Sequence, residues 1–224
     1  IGIQTKLLPE IKHLIDELNK KSKDWEEIIK IGRTHLQDAV PLTLGQEVSA
    51  WRDQLKTASL RLENALKELY PLPLGGTAVG TGLNAPHLFD ELICTEIAES
   101  IGLPFSSAKN KFAVMASHDG LVNAMSQLKL LAVALLKIVN DIRLLACGPR
   151  AGFGELSLPS NEPGSSIMPG KINPTQCESM AMVCVQVIGL DNAIAIAGSG
   201  GHLQMNVYKP LIGFNLVHSI KLLH

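Results

Sequence analysis

Apolar residues return every three or four positions along four stretches of the chain, and this spacing restricts it to long, packed helices. Leu7, Ile11, Leu14 and Leu18 form the first stripe. Val48, Trp51, Leu55, Ala58, Leu62, Ala65 and Leu69 form the second. Leu121, Met125, Leu128, Ala132, Leu135, Val139, Ile142 and Ala146 form the third, and Met180, Val183, Val187, Leu190, Ile194 and Ala197 the fourth. A repeat near 3.5 residues keeps these side chains on one stripe of a helix, which packs against its neighbours at a shallow angle. Stretches of roughly 15–28 residues, rising about 1.5 Å per residue, predict an all-α fold of long antiparallel helices. No long run alternates apolar and polar residues with period two, so no large sheet is expected.

The stretch 180–197 is apolar nearly all round. Gln186, Gly189, Asp191 and Asn192 interrupt it, which leaves an apolar core shorter than the ~20 residues of a membrane span. A helix buried by several neighbours, including other subunits, is the expected form. Apolar residues make up 46% of the chain and charged residues 18%, enough for a sizeable core and too much for disorder. The formal net charge is −1, so nucleic acid and anionic membranes are not expected partners. The few aromatics are scattered and offer no stacking platform. Cys94, Cys147, Cys177 and Cys184 include no C-x-x-C pair, and no histidines stand at i, i+4. No metal site is therefore expected, and the thiols suit a reducing, cytoplasm-like compartment.

The chain starts at Ile1 and stops at His224, inside the apolar series Leu211, Phe214, Val217 and Ile220. Neither end carries a cap or a polar tail, so a piece of a longer chain is expected. No signal peptide is visible.

Three connections are rich in Gly and Pro: 32–45, 71–86 and 148–175. The last holds five Gly and five Pro in 28 residues. A loop beyond ~12–15 residues within a compact domain is usually functional. Here Phe153, Leu156, Leu158, Ile167 and Met168 are positioned to anchor a partly mobile segment.

The richest stretch is Gly164-Ser165-Ser166-Ile167-Met168-Pro169-Gly170-Lys171-Ile172-Asn173-Pro174. It fails as a P-loop: five residues separate Gly164 from Gly170, and Ile172 stands where a hydroxyl must hold Mg²⁺. Two hydroxyls, an ammonium and a carboxamide within nine residues, among glycines that free backbone N–H groups, suit a carboxylate and developing negative charge. Gly80-Thr81-Gly82-Leu83-Asn84-Ala85 matches a dinucleotide fingerprint, but without a strand–helix–strand unit it reads as a turn. Thr175-Gln176-Cys177-Glu178 fits a capping box with Thr175 as N-cap. Arg33-Thr34-His35 lies between helices, where a loop histidine and a site histidine are equally possible. Gly201-His202 reads as structural.

Four segments together carry a family resemblance: GRTHLQDAVPLTLGQE (32–47), GGTAVGTGLN (75–84), NDIRLLACGPRAGFGE (140–155) and NEPGSSIMPGKINPTQCE (161–178). With them the chain resembles the class II fumarases of the aspartase/fumarase superfamily over essentially all 224 residues. His35 after Thr34, and Gly170 with Thr175-Gln176-Cys177, favour fumarase over aspartase-like sequences. The resemblance implies a lyase that hydrates fumarate reversibly to L-malate without metal or redox cofactor.

By matched position, Ser165 would be the base that removes the C3 proton of malate, with His35 and Glu178 as further catalytic residues. Glu178 would orient His35 and tune its protonation. Thr34, Ser166, Lys171, Ile172 and Asn173 would bind substrate. The family's SSNDxxPT-type substrate segment has no match in 1–224. Residues 1–224 would then be the central helical domain, for oligomerisation and active site, with the family's flanking domains outside it. That domain would form the core of a homotetramer whose active sites each draw on three chains. The chain alone is expected to be nearly inactive. The resemblance implies a cytoplasmic protein, or a mitochondrial-matrix one in a eukaryote. An aspartate ammonia-lyase on the same fold and an inactive oligomerising fragment are the alternatives.

Overall fold

A computed structural model describes residues 1–224. A π-helical turn at Ile3–Leu7 leads into α1 (Leu8–Asp24). A hairpin of β1 (Ile29–Thr34) and β2 (Gln37–Thr43) follows, and then α2 (Leu44–Leu66). A short 3₁₀ turn at Lys67–Leu69 opens a small lobe with β3 (Pro71–Leu72), α3 (Phe89–Ile101), β4 (Ser106–Ser107) and α4 (Lys111–Ala116). Three long helices complete the chain: α5 (Asp119–Leu145), α6 (Thr175–Ser199) and α7 (Lys209–Leu223).

The long helices pack in series: α1 on α2, α2 on α5, α5 on α6 and α6 on α7. Polar pairs fix their antiparallel sense. Trp51 Nε1 donates to Asp141 at one end of the α2–α5 contact, and Asn123 donates to Glu68 at the other. Lys129 reaches the buried Asp191 at 2.6 Å across α5 and α6. One cluster of 27 buried apolar residues runs through these helices. The predicted stripes fill it: Val48, Trp51, Leu55, Ala58 and Leu62 of α2, and Met125, Leu128, Ala132 and Leu135 of α5, are all buried. Burial of such side chains, at about 25 cal/mol per Å², is the main force holding the rods together. In α1 the stripe is displaced by one position. Ile15 is buried and Leu14 is 39% exposed, because a two-helix contact follows the 3.6-residue turn rather than a strict 3.5 repeat.

Three local expectations are corrected. Residues 32–45 are not an irregular connection but most of an antiparallel hairpin. Gln37 through Pro41 are exposed, so burial writes no period-two pattern into them. Thr175 is not the N-cap of α6; Pro174 is, and the Glu178 N–H bonds to the Pro174 carbonyl. The reciprocal box forms instead at Thr43 and Gln46, which start α2. Finally, α6 runs 25 residues and is long and apolar enough to cross a membrane by length and composition. Length therefore does not argue against a span. Its placement between α5 and α7, with Asp191 paired to Lys129, is what defines it in this chain.

The small lobe is held by Asp90, which accepts from Lys111 at 2.6 Å and Ser107 at 2.8 Å. The Lys111 and Ser107 hydrogen bonds lower its pKa to about 2. Gly80–Ala85 forms turns, with Gly80, Gly82 and Asn84 in left-handed backbone. His202 bridges to Met205, and the buried Asn206 closes the end of α6 by donating to the Ala197 carbonyl at 2.9 Å.

Candidate active site

Two connections meet at one end of the bundle. The hairpin joins the end of α1 to the start of α2, and residues 146–174 join the end of α5 to the start of α6. Gly45 lets the first junction close: a Cβ there would sit 2.3 Å from the Ser22 carbonyl oxygen. The stem of the second is pinned where the Glu155 and Leu156 N–H groups both bond to the Leu145 carbonyl.

The tip of the hairpin is a two-residue turn, His35-Leu36, with φ of 54° and 61°. Positive φ at both central residues is the geometry that twists with the strands. It usually takes Asn-Gly, and a side chain there costs of order 1–2 kcal/mol per residue. Thr34 pairs with Gln37 directly below the turn. Thr34 and His35 are exposed, and Leu36 is 65% exposed. Neither Thr34 nor His35 makes a side-chain hydrogen bond or ion pair within the chain. The turn closes the hairpin, but the exposed His35 imidazole on it adds no contact within the chain.

Ser165 to Asn173 form a closed loop. The Asn173 side chain donates to the Gly164 carbonyl at 2.7 Å, and Lys171 N–H bonds to the Met168 carbonyl. Only glycine fits at 164, because a Cβ would lie 1.8 Å from the Lys171 carbonyl oxygen. Inside the loop, the Ile167 and Met168 N–H groups both donate to Ser165 Oγ at 3.2 Å. Two donors aimed at a hydroxyl oxygen stabilise negative charge on it, as in an oxyanion hole. Ser166, Lys171 and Ile172 are exposed beside it, and the Lys171 ammonium has no ion-pair partner. A small cleft lined by Asn161, Asn173, Thr175 and Cys177 lies between the loop and the start of α6. Burial pushes the Cys177 thiol up from its ordinary range, which disfavours the thiolate.

Glu178 is free of a capping role and stands 3.6 Å from Arg143 of α5. No bond joins it to His35 within the chain. The structure thus gathers Ser165, Lys171 and Asn173 in one loop, sets Glu178 at that loop's exit, and leaves Thr34 and His35 on a separate projection.

Sequence reading missed four charged residues at this end. Lys30 pairs with Glu47 and Glu155 at 2.6 Å each, and Arg33 pairs with Glu155 at 2.6 Å. Burial alone would raise the Glu155 pKa; Lys30 and Arg33 outweigh it and hold the carboxyl below its usual range. Lys30, at the edge of the predicted 32–45 connection, carried no signal without the hairpin register.

The chain is 73% identical over 223 residues to a class II fumarate hydratase of Prochlorococcus marinus, covering all of this chain and 48% of that protein. It is 58% identical to one from Thermosynechococcus vestitus, with the same coverage. The structure superimposes on the class II fumarase of Schistosoma mansoni with a TM-score of 0.97 at 44% identity, over 99% of this chain and 50% of that one. The chain therefore spans about half the length of the relatives it matches. Its residues 2–189 fit the family described as Lyase, and the chain belongs to that family, in the company of the class II fumarases.

Proposed function

We propose that the complete protein hydrates fumarate reversibly to L-malate, with Ser165 as the base toward C3. The observation that carries this reading is the pair of N–H donors on Ser165 Oγ, in a loop that leaves the Lys171 ammonium free. A serine hydroxyl is a weak base until its conjugate alkoxide is stabilised, and the two donors supply that. Removing the C3 proton of malate moves an electron pair into the adjacent carboxylate and builds a dianion. Lys171 and Asn173 bind that carboxylate, with Ser166 and Ile172 lining the site. The C2 hydroxyl then leaves as water after accepting a proton.

Thr34 and His35 act from a different copy of the chain than the Ser165 loop. Two features support this: no His35–Glu178 bond forms within one chain, and α6 and α7 expose apolar side chains at Met182, Val185, Ile196 and Phe214. We infer a homotetramer built on those faces, in which His35 of one copy meets Glu178 of another. The substrate is a small dicarboxylate, and the four unpaired cysteines fit a reducing, cytoplasm-like compartment.

The test is to follow fumarate absorbance with malate added to the complete protein, with aspartate in a parallel arm and the 224-residue chain in another. Malate turnover by the complete protein and none with aspartate supports the reading. Ammonia release from aspartate overturns it in favour of an ammonia-lyase. Sedimentation of the chain as a folded monomer at micromolar concentration would remove the tetramer.

A further inference from the structure

The cluster of Lys30, Arg33, Glu47 and Glu155 joins three segments that are distant in sequence: β1, the first turn of α2 and the stem of the 146–174 connection. Lys30 and Arg33 are three residues apart on β1, so a regular strand would send them to opposite faces. The ladder slips between Ile31 and Arg33, and this bulge turns both cations onto one carboxylate. Glu155 Oε2 meets Lys30 and its Oε1 meets Arg33. The Arg33 guanidinium also lies 4.2 Å from the centre of the Phe153 ring, on the same stem. Exposed ion pairs contribute little, but Lys30, Arg33 and Glu155 keep only 9%, 19% and 20% of their side-chain surface in solvent. Removing one member of such a set leaves the others inadequately compensated.

Glu47 and Glu155 are the two close carboxylates of Lys30 and Arg33, and Asp38 stands farther off at the edge. Without Glu155, Lys30 still has Glu47, whereas Arg33 keeps only the largely exposed Asp38 at 3.7 Å. The loss therefore falls on the residue next to Thr34 and His35. We propose that Glu155 is a positioning residue: held between Lys30 and Arg33, it ties the Thr34–His35 hairpin to the 146–174 stem of its own chain, and so sets where that hairpin is presented to the site it completes with a neighbouring copy. The role in catalysis rests on the function proposed above; the tether itself does not.

The test uses the complete protein and compares E155Q with E47Q, which spares the Glu155 contacts. Two readouts are taken: the rate of tryptic cleavage after Arg150, and kcat and KM for fumarate. For E155Q, cleavage should accelerate about fivefold or more as the stem opens locally. KM should rise and kcat/KM should fall roughly tenfold to a hundredfold, the scale of a misplaced site. E47Q should stay within about twofold of wild type in kcat/KM, because Lys30 keeps Glu155 and both contacts that tie the hairpin to the stem remain. Wild-type kinetic constants in folded E155Q would overturn the positioning role even if cleavage were faster, since the tether would then be structural only. Unchanged cleavage would overturn the tether. Should E155Q not fold, F153L removes the face on which Arg33 rests while keeping every charge. Raised KM with faster cleavage supports the proposal, and wild-type values for both sink it. If the wild-type protein does not hydrate fumarate, the proposed function fails, and the cleavage rates alone still decide whether Glu155 ties the two segments.

Discussion

The hairpin and the Ser165 loop occupy the same end of the bundle and carry comparable chemistry, yet they are held in opposite ways. The hairpin is a ladder of backbone hydrogen bonds ending in a strained turn, so its tip is placed by the main chain. The loop has no ladder. It is closed by one carboxamide, one main-chain bond and the two N–H groups on Ser165. A group presented on a ladder keeps its position when its own side chain changes. A group presented by a few local contacts depends on each of them, and such a loop opens at low free-energy cost.

The largest expected effect tests chemistry while leaving the hairpin and the helical core untouched. Ser165→Ala in the complete protein should lower kcat about 10²–10⁴-fold, the usual contribution of a general base. Its thermal unfolding should match wild type, because Ser165 anchors nothing in the helical core. Near-wild-type turnover would show that another group takes the proton.

Next comes Gly164→Ala, which attacks the loop's closure. The added methyl would overlap the Lys171 carbonyl, so the Asn173 bond cannot form as it stands. Turnover should drop roughly tenfold to a hundredfold through misplacement, while hydrogen exchange in the hairpin stays unchanged. Altered hairpin exchange would mean that the hairpin and the loop are one cooperative unit, and the contrast drawn above would collapse.

Acid should loosen the joint between them. Glu155 titrates below its ordinary 4.5 in the folded chain, so it binds fewer protons folded than unfolded. Its stabilisation is present above about pH 4.5 and is lost as pH falls through the lowered folded value. Exchange at hairpin amides, corrected for intrinsic rate, should therefore accelerate below that point in the wild type. In E155Q this pH dependence should be absent.

The smallest effect concerns the strained tip. Leu36→Asn substitutes a residue that tolerates the left-handed region and should stabilise the chain by about 0.5–1 kcal/mol in urea unfolding. The corresponding position in the loop has no such reserve. Gly170, at φ 78°, already carries the residue its backbone wants, and Gly170→Ala should cost about 1 kcal/mol despite open space around it. Equal and negligible shifts for both would show that neither backbone is under conformational constraint.

Much of this architecture is written in one dimension. The apolar spacing locates α1, α2, α5 and α6 and the faces they bury, because burying a stripe on a 3.6-residue period is a local, repeated requirement. The serine loop is legible for the same reason: its glycines, hydroxyls, lysine and asparagine are contiguous, so their chemistry survives without knowledge of the fold. Thr34 and His35 were visible as residue types and through the family resemblance. The hairpin that presents them was not, since β2 is exposed along most of its length and β1 is half-buried on both faces, so neither carries an alternation.

Tertiary structure alone decided the rest. Whether Thr43 or Thr175 caps a helix depends on where the chain enters it, and Pro174 takes the place that the local pattern assigned to Thr175. Which carboxylate Lys30 and Arg33 share depends on a bulge and on the end of a helix more than 100 positions away. Local sequence determines what a segment prefers, because dihedral sterics and burial act between near neighbours. Pairing between distant charges is set only when the packed helices bring those segments to the same place.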